Sequence, residues 1–235
     1  MHEVLHAFSD PFYFRQVLPD IWSGFLINVH MMVIAEALVL VLALLIAIVR
    51  GLPGRGARPL RGLAIVYTDF FRGTPLTIVA YACILGLPGL GYGFLKNASS
   101  QALGIVALTI VYTAYVTEVY RAGIESVHGS QRMAARSLGL NYWQALRYVV
   151  LPQAVRRVIP PLLNDFIGLQ KDTAIIGAIG VIEAGAQANN FASSYFNFTG
   201  FLVAAVLFVY LTIPLARFTD HLIKERELRE RAAAV

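Results

Sequence analysis

The chain has 235 residues, 57% of them hydrophobic and only 14% charged, with a formal net charge of +5. A soluble domain carries about 25% charged residues, so this composition excludes one and points to an integral membrane protein. The positive balance is not a nucleic-acid footprint, because the charges fall between long apolar runs.

In chain order, residues 1–22 mix aromatics (Phe8, Phe12, Tyr13, Phe14, Trp22) with Asp10, Pro11, Arg15, Pro19 and Asp20. They lack the charged start and apolar middle of a signal peptide and read as an interfacial segment. A single five-span domain is expected over 23–218, with its first span doubling as the insertion signal. That span, Gly24 to Val49, exceeds the roughly 20 residues needed to cross a bilayer. His30 lies near one end and reads as an interface residue. Glu36 is deeper, and an ionisable group there faces protein, not lipid.

Residues 50–61, RGLPGRGARPLR, carry Arg50, Arg55, Arg58 and Arg61, which places this loop in the cytoplasm by the positive-inside rule. The second span runs from Leu63 to about Leu87 and holds FRGTPL, where Gly73 and Pro75 must weaken or kink a helix. Cys83 in this stretch is the one cysteine, so no intrachain disulfide forms. The glycine-rich segment from Pro88 to Ser100 has only Lys96 and is assigned to the outside. The third span is Gln101 to Tyr120, and a basic loop of about 123–160 follows. Pro160 and Pro161 are placed to open the fourth span, to about Glu183; Ala184 to Thr199 lacks Lys and Arg and is outside. The fifth span is Gly200 to Phe218, and a basic cytoplasmic tail covers 219–235. An all-α membrane protein with the N-terminus outside and the C-terminus inside results.

Within the basic loop, Gln131 to Pro152 reads as two short amphipathic helices. Ser130 suits the N-cap of the first, and Gly139 the left-handed residue that ends it. Asn141 and Gln144 make a capping box for the second, and Pro152 marks its stop. A folded helix pair between two spans reads as a docking surface; the alternative is an ordinary basic loop with incidental helicity.

The same stretch resembles the "EAA" loop in membrane subunits of bacterial ABC importers. That pattern is Glu-Ala-Ala, three residues, Gly, nine residues, Ile, one residue, Leu-Pro. Here Ala134, Ala135, Gly139, Leu151 and Pro152 match it, Val149 conservatively replaces the Ile, and Met133 stands where the family has Glu. With Ser130 as N-cap, Met133 would be unable to close a capping box or offer a negative charge, so docking through apolar shape is expected. FRGTPL and YTAYVTEVYRAGIESV resemble the polar amino-acid branch of that family. The resemblance covers Gly24 through the fifth span. It implies a second permease subunit, identical or paralogous, two ATPase subunits docked on the loop, and an extracytoplasmic solute-binding protein. It also implies a polar amino-acid substrate and a location in the bacterial inner membrane. No G-x-x-x-x-G-K-[ST] occurs, so ATP and Mg are expected on the ATPase, with no cofactor on this chain.

Charged residues at depth are the substrate-path candidates. Lys171 and Asp172 lie ~15 Å along a helix from Pro161, near the middle of a core ~30 Å thick. A lipid-facing charge there costs several kcal/mol, so an interior or aqueous position is expected. Arg72 sits at similar depth, with Asp69 one helical turn before it. Together they have the charges to hold a zwitterion; the alternative is structural pairs for packing or gating. Glu183, at the outer end of its span, is read as meeting a binding protein, substrate or solvent. Glu118 and Arg121 read as an interface ion pair, and Tyr112, Tyr115 and Tyr120 as packing residues. A stand-alone secondary transporter or channel, or a membrane enzyme, remains as the alternative class, but neither explains the EAA-like loop.

Overall fold

A computed structural model describes residues 10–233, and Phe8 lies outside the described residues. Every regular element described is helical. Helix α1, Pro11–Arg50, is capped by Asp10, whose carboxylate accepts from the Phe12 N–H at 2.9 Å, and Pro11 fits the first turn, where no N–H is needed. Its 40 residues rise ~60 Å, about twice a hydrocarbon core. Residues 11–22 are therefore the first turns of this helix and not a segment separate from it.

The break expected at FRGTPL is sharper than a kink. Helix α2 spans Arg58–Gly73, and the chain resumes at α3, Leu76–Tyr81. It then passes through a π turn, Ala82–Gly86, to the single turn α4, Leu87–Gly89. The two halves meet at 104°. Pro75 has no N–H to donate, and it drives Thr74 into extended backbone at φ −98° and ψ 127°. A short α5, Gly93–Lys96, leads to α6, Ser100–Glu125, capped by the Ser99 hydroxyl.

Helix α6 is the hub. It packs on α1, α2, α3 and α9, and buries Leu103, Ala107, Leu108, Val111, Ala114 and Val116 in the main core. After it come α7, Gly129–Ser137, and α8, Tyr142–Ala145. A π turn, Leu146–Val150, then runs without a break into α9, Leu151–Gly177. Pro152 does not stop this helix. It occupies the first turn of α9, where its missing N–H costs little, and Pro160 and Pro161 lie inside the helix rather than at its start. Helix α10, Ala184–Tyr195, occupies most of the Lys- and Arg-free stretch, and α11 is Thr199–Ala233.

Among the described residues, three helices are long and apolar enough to cross a membrane: Pro11–Arg50, Ser100–Glu125 and Thr199–Glu225. The bent α2–α3 pair makes a fourth if taken as one crossing. The 27 residues of α9 are ample in length, yet Asp165, Gln170, Lys171 and Asp172 keep it below that mark, and it ends at Gly177, not Glu183.

Candidate functional site

The 131–152 segment folds as a helix pair on a small apolar base. Val127, Leu146, Val150 and Ala154 form its core. The first cap differs from expectation. His128, not Ser130, is the N-cap: its Nδ1 accepts from the Ser130 N–H at 3.3 Å and lies 2.8 Å from the Ser130 hydroxyl. The third helical position is therefore Gln131, and Met133 lies beyond the reach of any capping box. Gly139 has the expected left-handed backbone, φ +84°. The Leu140 N–H donates to Ala135 O at 3.2 Å and the Gly139 N–H to Arg136 O at 3.0 Å, the paired bonds of a Schellman end. The Asn141–Gln144 capping box forms as expected, with both bonds at 2.9 Å. Ala135 is buried at 3% exposure, while Met133 at 66% and Leu138 at 83% stand out from the surface. Ser130, Ala134 and Pro152 are also exposed and Leu151 is half-buried.

Glu183 is not solvated. It is completely buried as the N-cap of α10. Its carboxylate accepts from the Ala186 N–H at 2.7 Å, the Gly185 N–H at 2.8 Å and Asn28 Nδ2 at 2.9 Å. Asn28 also donates to Thr173 Oγ1 at 3.0 Å and accepts from the Ala184 N–H at 3.1 Å. The knot ties α1, α9 and α10. Gly177 makes room for it: a Cβ there would sit 1.9 Å from Glu183 Oε1.

A second polar region opens where α2 breaks. A cavity of about 490 Å³ is lined by Arg72 to Leu76, by Val111, Tyr112 and Tyr115 of α6, and by Asn164, Asp165, Gly168 and Asp172 of α9. A neighbouring cavity of about 470 Å³ shares Arg72, Tyr115 and Asp165, and reaches Ser126 and Arg157 at the loop end of α6 and α9. Together they trace a cleft along one face of α6. Asp172 accepts from the Tyr112 hydroxyl at 2.8 Å. The Arg72 guanidinium lies 6.0 Å from the centre of the Tyr115 ring, and the Tyr115 hydroxyl donates to Arg72 O at 3.3 Å. Asp165 Oδ2 is buried without a hydrogen-bond partner, as is Glu36 Oε2 on α1.

Of the expected path residues, Arg72 and Asp172 meet at this cleft. Asp69 and Lys171 are exposed outside its lining, and Glu183 belongs to the knot. Asp165 and Asn164 join the site unforeseen; the seven-residue spacing of Asp165 and Asp172, two helical turns on one face, was the available signal. Tyr112 and Tyr115 line the same cavity, and Tyr112 also packs in the main core, as expected of it. The cavity of about 490 Å³ sets one guanidinium, Arg72, with two carboxylates, Asp165 and Asp172.

Glu118 is an ion-pair centre, as expected. It bonds Arg50 of α1 and takes Arg121 Nε at 2.8 Å, while Arg121 reaches Glu125 at 2.5 Å. Arg50 also donates to Thr68 of α2 at 3.0 Å, so the network joins three helices.

Residues 39–227 match the family described as the binding-protein-dependent transport system inner membrane component. The chain belongs to that family. It is the multi-pass permease subunit of a bacterial inner-membrane ABC importer. It is 39% identical over 171 residues to the probable glutamine ABC transporter permease protein GlnM of Bacillus subtilis, covering 72% of this chain and 77% of that protein. It is 31% identical over 212 residues to the arginine transport system permease protein ArtQ of the same organism, covering 90% and 94%. A crystal structure of an amino acid ABC transporter with histidines superposes with a TM-score of 0.82 at 30% identity, over 93% of this chain and 99% of that one.

Proposed function

We propose that this permease imports polar amino acids, and that the cleft between Arg72, Asp165 and Asp172 is where the substrate is held on its way through. The observation that carries this reading is the meeting of a guanidinium with two carboxylates at one cavity of about 490 Å³. Arg72 faces the α-carboxylate; Asp165, whose Oδ2 lacks a partner, takes the α-ammonium. Relatives named for glutamine and arginine transport support an amino-acid substrate. In this reading five helical segments cross the bilayer: α1, the bent α2–α3 pair, α6, α9 and α11. The arginine-rich loops and the C-terminal tail lie in the cytoplasm. The chain works with a second permease, two ATPase subunits that bind ATP and Mg, and an extracytoplasmic solute-binding protein. The ATPase docks on Met133, Leu138 and the Gly139 turn.

The test is reconstitution into proteoliposomes with and without the ATPase and binding protein. ATP-dependent uptake of a labelled polar amino acid is expected only with all components present. Gly139→Pro, which removes an N–H and the left-handed turn, is expected to abolish substrate-stimulated ATP hydrolysis. Robust uptake by the chain alone would return the stand-alone transporter.

A further inference from the structure

A third cavity, of about 410 Å³, lies on the other side of α6, between the end of α1 and the helix pair of the 131–152 segment. Its floor is aliphatic, formed by Ile48, Ile124, Leu146 and Val150. Its rim carries four guanidinium groups, Arg50, Arg121, Arg132 and Arg136, against one carboxylate, Glu125. Glu118 stands behind them and pairs with Arg50 and Arg121. Four positive charges less these two negative ones leave an excess of two. That excess falls on Arg132 and Arg136, which have no carboxylate partner among the described residues. Arg132 spends one Nη on Ile124 O at 2.7 Å, while its Nε is buried and unpartnered. An unanswered buried guanidinium N–H asks for an acceptor.

Two features narrow the acceptor's chemistry. The rim favours a phosphate, since guanidinium groups match its geometry. The aliphatic floor is useless to a free phosphate ion and suits hydrocarbon. Ile65 of α2 borders the cavity and is 42% exposed, so the floor continues onto an open apolar flank.

We propose that this cavity seats the headgroup of an anionic glycerophospholipid, with its phosphodiester between Arg132 and Arg136 and its upper acyl carbons on the aliphatic floor. Basic pockets between helices on the cytoplasmic side are the general setting for such headgroups. The cavity holds the headgroup and the first acyl carbons, and the rest of each chain runs outside along α1 and α2. Arg132 and Arg136 belong to α7, whereas Ile48 belongs to α1, so the lipid bridges the docking helix to the membrane helices. This inference rests on the cytoplasmic placement of the 131–152 segment.

The test uses the complex with its ATPase, exchanged from nanodiscs of phosphatidylcholine with or without phosphatidylglycerol, with retained lipids counted by native mass spectrometry. Wild type is expected to keep phosphatidylglycerol in preference to phosphatidylcholine. Arg132→Gln weakens retention about fivefold and the Arg132→Gln/Arg136→Gln pair about 30-fold, from about one favourable charge contact per arginine. Arg132→Lys keeps most of the retention, which separates lost charge from lost folding. Arg58→Gln, a basic residue of the same end outside the cavity, leaves it unchanged. Equal retention by wild type and the double variant overturns the proposal. So does an equal loss in Arg58→Gln, which would mean diffuse surface attraction, or displacement by glycerol phosphate, which would mean a soluble anion site. If the ATPase does not co-purify, the docking assignment fails, and lipid counts on the permease alone still decide the cavity.

Discussion

The knot around Glu183 and the cleft around Asp165 both place carboxylates among membrane helices, and they treat them in opposite ways. In the knot both carboxylate oxygens accept hydrogen bonds, one of them from the Asn28 amide. In the cleft Asp165 keeps an oxygen without a partner beside an open cavity, and Arg72 is exposed. A charge at depth is therefore not by itself a site. An answered charge holds helices together; an unanswered one beside a cavity is held ready for something that arrives later.

The largest expected effect comes from breaking the knot. Glu183→Ala strands the buried N–H donors and Asn28→Leu strands the carboxylate they serve, so each is expected to destabilise the protein by about 2–4 kcal/mol, from buried hydrogen-bonding groups left unanswered. A thermal melt of the purified permease followed by fluorescence reads this. An unchanged melt would erase the distinction between the two regions. Gly177→Ala attacks the same knot by crowding, since its Cβ would meet Glu183 Oε1 at 1.9 Å. A loss of about 1–3 kcal/mol is expected, and Gly177→Ala combined with Glu183→Gln should lose less than the two changes summed, because both weaken the same hydrogen bonds of that side chain.

The cleft is expected to show the reverse pattern. Arg72→Gln and Asp165→Asn should each lower uptake about 10- to 100-fold, the worth of one charge-assisted hydrogen bond to substrate. Their melts should stay close to wild type. A melt that falls along with uptake would make Asp165 structural too. The smallest effect is expected for Lys171→Gln. Lys171 is exposed outside both cavities, so uptake in proteoliposomes should change less than about twofold, within the range of a surface substitution. A large loss would move the site around α9 to include it.

Lys171 also shows where sequence reading ends. Depth along a helix follows from counting residues, and it placed Lys171 and Asp172 together. Direction around the helix turns ~100° per residue, and that separates them. Asp165 shares the face of Asp172 and is seven residues away, so the face was readable in principle. Asn28 was not: it is one amide in a long apolar run, and its partners Thr173 and Glu183 lie 145 and 155 residues further on. Local chemistry was the legible part. Pro75 announced the break, Gly139 its left-handed turn and Asn141 its capping box, because each acts within a few residues of itself. His128 took the cap from Ser130 because its imidazole nitrogen accepts the Ser130 N–H itself.

The π turn at Leu146–Val150 joins α8 to α9 with no loop between them. A flexible joint there would absorb a push; a continuous rod passes it on. The 27 residues of α9 make an arm ~40 Å long, so a tilt of ~10° at the loop end swings its far end by ~7 Å. Asp165 and Asp172 ride on this arm, while Arg72 rides on the last turn of α2, at the edge of its 104° bend into α3. In the proposed reading the grip on a zwitterion is divided between α2 and α9, and it would open when one moves without the other.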